Sequence, residues 1–188
     1  MTNRIVLAAL GVCLVTTAQA DKERRRPLTI LTVCEVLSHP LLYDGQLVRV
    51  RGRVNGSDEG AWLVGDECPG VFVTNEQHVW PSTIFLATPS STSSGRTRLH
   101  SIDFELDPVS ERIADSKYRQ LRTHIPDKCI AWTYIGLFET RRDWAEAQVV
   151  YPNGTTKIIG FGHLGAAPSQ IILKSVDDVT AMRNCSEK

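Results

Sequence analysis

Three arginines alternate with apolar or small residues in the stretch 48–54. Successive side chains of a β-strand point to opposite faces of a sheet, so Arg49, Arg51 and Arg53 would share one face. Such a row of guanidinium groups could bind an anion or a polysaccharide. The same alternation is equally typical of a solvated outer strand face whose charges pair with acidic neighbours. We take the three arginines as candidate binding residues, with the solvated face as the alternative.

Three acids, Asp103, Glu105 and Asp107, alternate in the same way within the stretch 99–107, which predicts a further strand. Neighbouring carboxylates could bind a cation or supply an acid–base pair. Asp107, however, directly precedes Pro108 and is better suited to capping a helix. The acids could also pair with the arginines across strands, each pair contributing under about 1 kcal/mol.

Five histidines are scattered along the chain at positions 39, 78, 100, 124 and 163. None has the spacing that places two ligands on one helix face, so we predict no metal site and no cofactor. His163 is a candidate binding residue because nearby glycines leave room for a ligand, although a histidine in an ordinary turn is the alternative. No Gly-x-Ser-x-Gly motif occurs, and we assign no catalytic residue.

The N-terminus has the composition of a secretory signal peptide over residues 1–20. Arg4 precedes a short apolar stretch that ends in Ala18-Gln19-Ala20, a small-x-small site. The stretch is shorter than the roughly 20 residues of a membrane span, so an uncleaved anchor is the less favoured alternative. A lipid anchor at Cys13 is disfavoured by the bulky Val12 before it. We predict export to the periplasm or the extracellular space, with no membrane span after cleavage.

Four cysteines follow residue 20, and an even number in an oxidising compartment predicts two disulfides. Three pairings are possible, and the sequence does not choose among them, although Cys34–Cys68 with Cys129–Cys185 is the pairing that we favour. No Cys-x-x-Cys motif occurs, which argues against a thioredoxin-like redox site.

Size and charge limit the remaining possibilities. Residues 21–188 have the usual length of one domain, and we see no internal repeat or linker. The chain has 21 basic and 21 acidic residues, so there is no global field that would attract nucleic acid or an anionic membrane.

Local patterns predict the elements that must position these residues. A capping box at Thr32 and Glu35 opens a short helix that Pro40 stops, and Asp107-Pro108 opens a helix to about Arg122. Asp44-Gly45 predicts a turn, and Asn153-Gly154 a hairpin. Predicted strands cover residues 47–54, 61–64, 71–74, 83–87, 129–138, 148–151, 155–161 and 170–173. Gly136 within the fifth of these indicates a bulge or a tight barrel bend. A polar loop at 55–60, a mobile loop around 89–95 and a terminal helix from Ser175 complete the pattern.

The predicted fold class is mainly β with one or two short helices. A helix between the third and fourth strands of a small barrel is the arrangement of the OB-fold, and a β-sandwich is the alternative. The chain also resembles a group of uncharacterised exported bacterial proteins, a resemblance that implies no particular activity. Its motifs are Val33–Leu37, Tyr43–Gly45, Val48–Gly52 and Gly160–Gly165.

Our functional hypothesis is an exported, non-catalytic domain that binds an envelope component, a peptide or a saccharide. The alternative is a hydrolase that uses carboxylates near the barrel mouth, such as Asp66, Glu67 or Asp103. Single-stranded nucleic acid is disfavoured as a partner because no aromatic residues are interleaved with the arginines.

Overall fold

A computed structural model describes residues 27–58, 60–65, 68, 80–90, 100–140, 148–150, 156–158, 160–162, 165, 167–182 and 185. The proposed signal peptide and the predicted strand at 71–74 lie outside these residues, as do positions 91–95 of the predicted mobile loop.

Within the described residues the chain is mainly β, as predicted, with three α-helices. The strands are β1 (Ile30–Thr32), β2 (Leu47–Ser57), β3 (Gly60–Val64), β4 (Thr83–Ala87), β5 (Ile130–Thr140), β6 (Gln148–Val150), β7 (Thr156–Ile158) and β8 (Ser169–Ala181). The helices are α1 (Val33–Ser38), α2 (Pro40–Tyr43) and α3 (Pro108–Arg122).

The predicted capping box opens α1. The Glu35 backbone N–H donates to the Thr32 hydroxyl at 3.1 Å, and the Thr32 N–H donates to the Glu35 carboxylate at 2.6 Å. The Thr32 backbone N–H and hydroxyl lower the pKa of Glu35 because both stabilise the charged carboxylate. Pro40 ends α1 as predicted and also supplies the first residue of α2.

Helix α3 has the predicted bounds. The Asp107 carboxylate accepts a hydrogen bond from the Val109 N–H at 2.9 Å and so caps the helix. Ala114 is buried against the core, and Tyr118 packs on Trp132 of β5 with ring centroids 5.2 Å apart. The helix therefore covers one part of the core.

Six strands form the main sheet, and β6 and β7 form the separate predicted hairpin. β2 pairs antiparallel with β3, β3 antiparallel with β4, and β4 parallel with β8. β8 pairs antiparallel with β5, which pairs antiparallel with β2. β1 adds to β2 as a short parallel strand. The succession of pairings from β2 through β3, β4, β8 and β5 thus returns to β2.

Neighbouring residues of the central strands belong to two different hydrophobic clusters. Ile84, Phe138 and Ile171 are buried in the larger cluster, whereas Phe85 and Ile172 are buried in the smaller one. Because successive side chains alternate between the faces of a sheet, the larger cluster is the inner core and the smaller one covers the outer face.

The terminal helix predicted from Ser175 is wrong, because these residues continue β8 to Ala181. Tyr134 pairs with Val176 and Trp132 with Val179, so that one extra residue of β8 lies between the two pairs as a bulge. Both valines are consequently buried on the inner face although they are three residues apart. A helix-like spacing therefore arises here from a bulged strand.

Two other boundaries differ from the sequence prediction. Residues 101–107 form no strand, although Ile102 and Phe104 pack on the outer cluster. β2 and β3 extend into the predicted loop at 55–60, because Ser57 pairs with Gly60. The register shifts after Ile135, but the extra residue lies on β8, between Ser175 and Leu173, rather than at Gly136.

Candidate functional site

The three candidate arginines lie on β2, and the first two are engaged by side chains of β8. Arg49 donates through Nε and Nη2 to the Asp177 carboxylate at 2.9 and 2.6 Å. Arg51 donates through Nη2 to the Thr180 hydroxyl at 2.7 Å. The acid that pairs with Arg49 is therefore Asp177 rather than one of the three acids at 103, 105 and 107. These contacts favour the solvated, paired face over an open anion site.

Asp178 continues this charged surface by pairing with Lys117 of α3. Burial acts to raise the pKa of Asp178, but hydrogen bonds from Lys117 and the Val179 N–H, with the charges of Lys117 and Arg51, hold it below its ordinary value. Asp177 and Asp178 thus balance the charges of Arg49 and Lys117, whereas Arg51 bonds to an uncharged hydroxyl.

The three predicted acids before α3 are accessible to solvent. Asp103 and Glu105 are exposed, and Asp107 is the cap of α3. Asp66, Glu67 and His163 lie outside the described residues.

The favoured cysteine pairing is confirmed. Cys34 and Cys68 are bonded with Cα atoms 5.0 Å apart, and Cys129 and Cys185 with Cα atoms 5.4 Å apart. The first bond joins α1 to the segment after β3, and the second joins the entry of β5 to the segment after β8.

A row of polar and aromatic side chains crosses five strands on the outer face. Register pairs Glu139 with Gln170, Gln170 with Phe85, Phe85 with Trp62, and Trp62 with Asn55. We call these five residues the cross-strand row. It runs from a carboxylate through an amide to two aromatic rings and a second amide, a set that can both hydrogen-bond and stack.

Exposure changes along the cross-strand row. Glu139 is fully buried, and Gln170 and Phe85 are 6% and 7% exposed, whereas Trp62 is half-buried and Asn55 is exposed. A Cβ on Gly162 would clash with the Phe85 ring, so the backbone at Gly162 lies directly on that ring. The chain itself therefore covers one end of the row and leaves the Trp62 and Asn55 end open to solvent.

Trp62 is held in a defined position at this open end. Its ring packs edge-on to Phe85, with centroids 6.0 Å apart. Asp58, in the two-residue connection from β2 to β3, is exposed beside the same hairpin. The accessible end thus combines an aromatic ring, an amide and an acid.

A buried polar cluster lies next to the covered end of the row. The Asp44 carboxylate, whose side chain is only 4% exposed, lies 3.2 Å from Nε2 of His100 and accepts from the Thr140 N–H at 3.1 Å. The Glu139 carboxylate accepts from the His100 N–H at 2.9 Å and from the Gln170 amide at 2.6 Å. These bonds connect Asp44 and His100, which precedes α3, with the end of β5 and the start of β8.

Gly45 makes the Asp44–His100 contact possible. Its φ of +74° lies in the left-handed region, and a Cβ there would be 3.0 Å from the imidazole ring. The contact of Nε2 with the carboxylate orients the imidazole ring, and the His100 side chain is 32% exposed.

Sequence reasoning missed both Trp62 and the Asp44–His100 pair as functional candidates. The sequence pattern around Trp62 predicts only a strand, and that around Asp44 only a turn. Asp44 and His100 are 56 positions apart, and no sequence motif joins them.

Among the described residues, no group of three metal-binding side chains comes together. The helices of the described part include none long and apolar enough to cross a membrane. Comparisons with protein-family models, with curated proteins and with solved structures gave no match.

Proposed function

We propose that the chain is an exported, non-catalytic domain that binds an uncharged saccharide of the cell envelope at Trp62 and Asn55. The observation that carries this proposal is the open end of the cross-strand row, where a fixed, half-buried indole adjoins an exposed amide. We also propose that the main sheet is closed into an OB-type barrel.

The order of strand pairing supports the OB-type barrel. Three antiparallel strands in succession are followed by a parallel pairing of β4 with β8, and α3 lies between β4 and β5. A β-sandwich would instead need two stacked sheets. In OB barrels, the face of the second and third strands binds oligonucleotides or oligosaccharides. β3 and β4, which carry Trp62 and Phe85, are the corresponding strands here.

Charge favours a saccharide over a nucleic acid on this face. Asp58, exposed in the connection between β2 and β3, would repel a polyanion. Arg49 and Arg51 already bond to Asp177 and Thr180. An indole ring can instead pack on the apolar face of a sugar while an amide exchanges hydrogen bonds with its hydroxyl groups.

Two disulfides support the proposed export, because such bonds form and persist in oxidising compartments. A signal peptide over residues 1–20 and a location in the periplasm or outside the cell remain part of this proposal. A cell-envelope protein is the other partner class compatible with such a location.

Glycan binding by the exported protein tests the proposal. Neutral oligosaccharides and solubilised peptidoglycan fragments would be screened by fluorescence titration and by retention on immobilised protein. We expect Trp62→Ala to weaken binding at least about tenfold, as for a central aromatic contact. Ile113→Ala, on the exposed face of α3, is the control and should bind as the parent does.

Two results would overturn the proposal. One is the absence of any retained glycan across the panel. The other is a glycan that Trp62→Ala binds as the parent does but that a variant with Arg49→Gln and Arg51→Gln no longer binds. That result would assign binding to the arginines of β2 instead.

A hydrolase is the alternative, and the Asp44–His100 pair is the observation that favours it. Of the three acids that the sequence suggested for a hydrolase, Asp103 is the one among the described residues, and it is exposed. In contrast, Asp44 lies 3.2 Å from Nε2 and orients the His100 ring, which would act as general base toward a water that attacks a scissile bond. Mass spectrometry of the glycan panel after incubation tests this function. Shortened products that disappear with His100→Gln, but not with the exposed His124→Gln, would establish hydrolysis.

A further inference from the structure

One asparagine in the described part of the chain is followed directly by a glycine, in the pair Asn55-Gly56 near the end of β2. Both residues are exposed. The side-chain amide of an asparagine can be attacked by the backbone nitrogen of the next residue. A glycine in that place favours the attack, because it has no Cβ to crowd the nitrogen and its backbone rotates freely. The pair therefore has the residue types that backbone-assisted deamidation requires.

Strand pairing leaves the nitrogen of Gly56 outside the ladders of β2. Ser57 pairs with Gly60 across the two-residue connection, as the hydrogen-bonded pair that closes a hairpin. Bonded and non-bonded pairs alternate along an antiparallel ladder, so Gly56 and Ala61 form a non-bonded pair and the Gly56 N–H points away from β3. On that other side, the pairing of β2 with β5 ends at Arg53. Neither ladder therefore holds the nitrogen that would carry out the attack.

The surroundings of the pair leave room for the reaction. Apart from the adjoining residues, the atom nearest to a Cβ added at Gly56 would be the Gly60 carbonyl oxygen, 3.7 Å away. Ring closure requires rotation of the backbone between Asn55 and Gly56, which separates Asn55 from Trp62. Only the last three pairs of the hairpin must open for this rotation, and the ends of such elements open locally at low free energy.

We propose that Asn55 is a site of spontaneous deamidation by the backbone nitrogen of Gly56. This nitrogen forms a bond to Cγ of Asn55, and the side-chain amide nitrogen leaves as ammonia with the proton that the Gly56 N–H loses. Water then opens the resulting succinimide ring at either carbonyl, which gives aspartate or isoaspartate at position 55. The reaction consumes only water, changes no oxidation state and requires no enzyme.

Deamidation changes the open end of the cross-strand row. Either product adds a negative charge to a hairpin that already carries the exposed Asp58. Isoaspartate also adds a methylene to the main chain of β2 opposite Trp62, which disturbs the register of the hairpin end. A loss of glycan binding as the protein ages would follow, and that consequence rests on the saccharide site proposed above. The modification itself does not depend on that site.

Peptide mapping by mass spectrometry tests the proposal on the folded protein. The purified chain is held at neutral and at mildly alkaline pH, sampled over time and digested in acid, which preserves the products. We expect the peptide with Asn55 to gain the mass difference between a hydroxyl and an amino group, in separable aspartate and isoaspartate forms. The rate should rise with pH, because the attacking nitrogen must lose its proton. Fragmentation distinguishes Asn55 from Asn153, the other asparagine that precedes a glycine.

Gly56→Ala is the matched control, because it should keep the fold while its Cβ hinders ring closure. It should slow the loss of the Asn55 amide severalfold. The parent unfolded in urea gives the rate at which Asn55 reacts without the hairpin. The proposal is overturned if Asn55 keeps its amide in the folded protein over a period in which it reacts in urea, or if Gly56→Ala reacts as fast as the parent. Both results are read from peptide masses, so neither depends on whether the protein binds a glycan.

Discussion

Removal of the Cys129–Cys185 disulfide should lower the free energy of unfolding by about 4 kcal/mol. The bond closes a loop of 56 residues in the unfolded chain, and the loop-entropy relation gives about 4.2 kcal/mol at 25 °C for that length. The same relation gives about 3.8 kcal/mol for the 34-residue separation of Cys34 and Cys68. The two bonds should therefore contribute within about 0.5 kcal/mol of each other.

The native state should change little when the Cys129–Cys185 bond is removed. Ile130 and Ala181 already pair at the ends of β5 and β8, and the Met182 N–H donates to the Cys129 carbonyl at 2.9 Å. Alanine is the replacement of choice at both positions because Cys129 is only 5% exposed and would not tolerate an unpaired hydroxyl. The loss should consequently come mainly from the greater freedom of the unfolded chain.

Urea unfolding without reductant, followed by tryptophan fluorescence, measures this loss. The double variant that carries Cys129→Ala and Cys185→Ala is compared with the parent and with the double variant that carries Cys34→Ala and Cys68→Ala. Dithiothreitol should destabilise the parent by more than it destabilises either double variant, because each double variant retains only one disulfide to reduce. The reasoning is refuted if the double variant stays within about 1 kcal/mol of the parent, well below the usual range for such a bond. Four reactive thiols in the unreduced, unfolded protein from residue 21 onward would refute it equally.

Two further predictions concern local structure. Gly136→Ala should lower the free energy of unfolding in urea by about 3 kcal/mol, because its Cβ would clash with the Ile172 carbonyl. Gly56→Ala is the control and should be about as stable as the parent, because the nearest atom to its Cβ would be 3.7 Å away. Equal losses in the two variants would contradict this. Thr32→Ala should cost about 1 kcal/mol at pH 7 by removing the helix cap. Because the folded-state pKa of Glu35 lies below its ordinary value of 4.5, the cap should stabilise fully above that pH and weaken as pH falls through the folded pKa. A deficit of Thr32→Ala that does not shrink in acid would argue against the Glu35 contact.

Features that depend on residues close in sequence could be predicted from the sequence. The capping box of α1, the Asp-Pro start of α3 and the turn at Asp44-Gly45 each follow from contacts within four residues. The alternation along β2 likewise follows from side-chain periodicity.

The end of β8 shows where periodicity fails. Val176 and Val179 have a helical spacing, and only the extra residue accommodated opposite β5 places both on the inner face of a strand. A bulge is a property of a strand and its partner together, so the spacing within one segment could not distinguish it from a helix.

The sequence by itself determined the capped helices, the main strand segments and a cysteine count that suits two disulfides. Only the tertiary structure decided that Asp177 meets Arg49 across 128 residues and that Asp44 meets His100 across 56. It also decided that Trp62 stands beside Phe85 at the open end of a row of side chains. Contacts of this kind depend on strand order and register, which arise from packing of the whole chain rather than from any single segment.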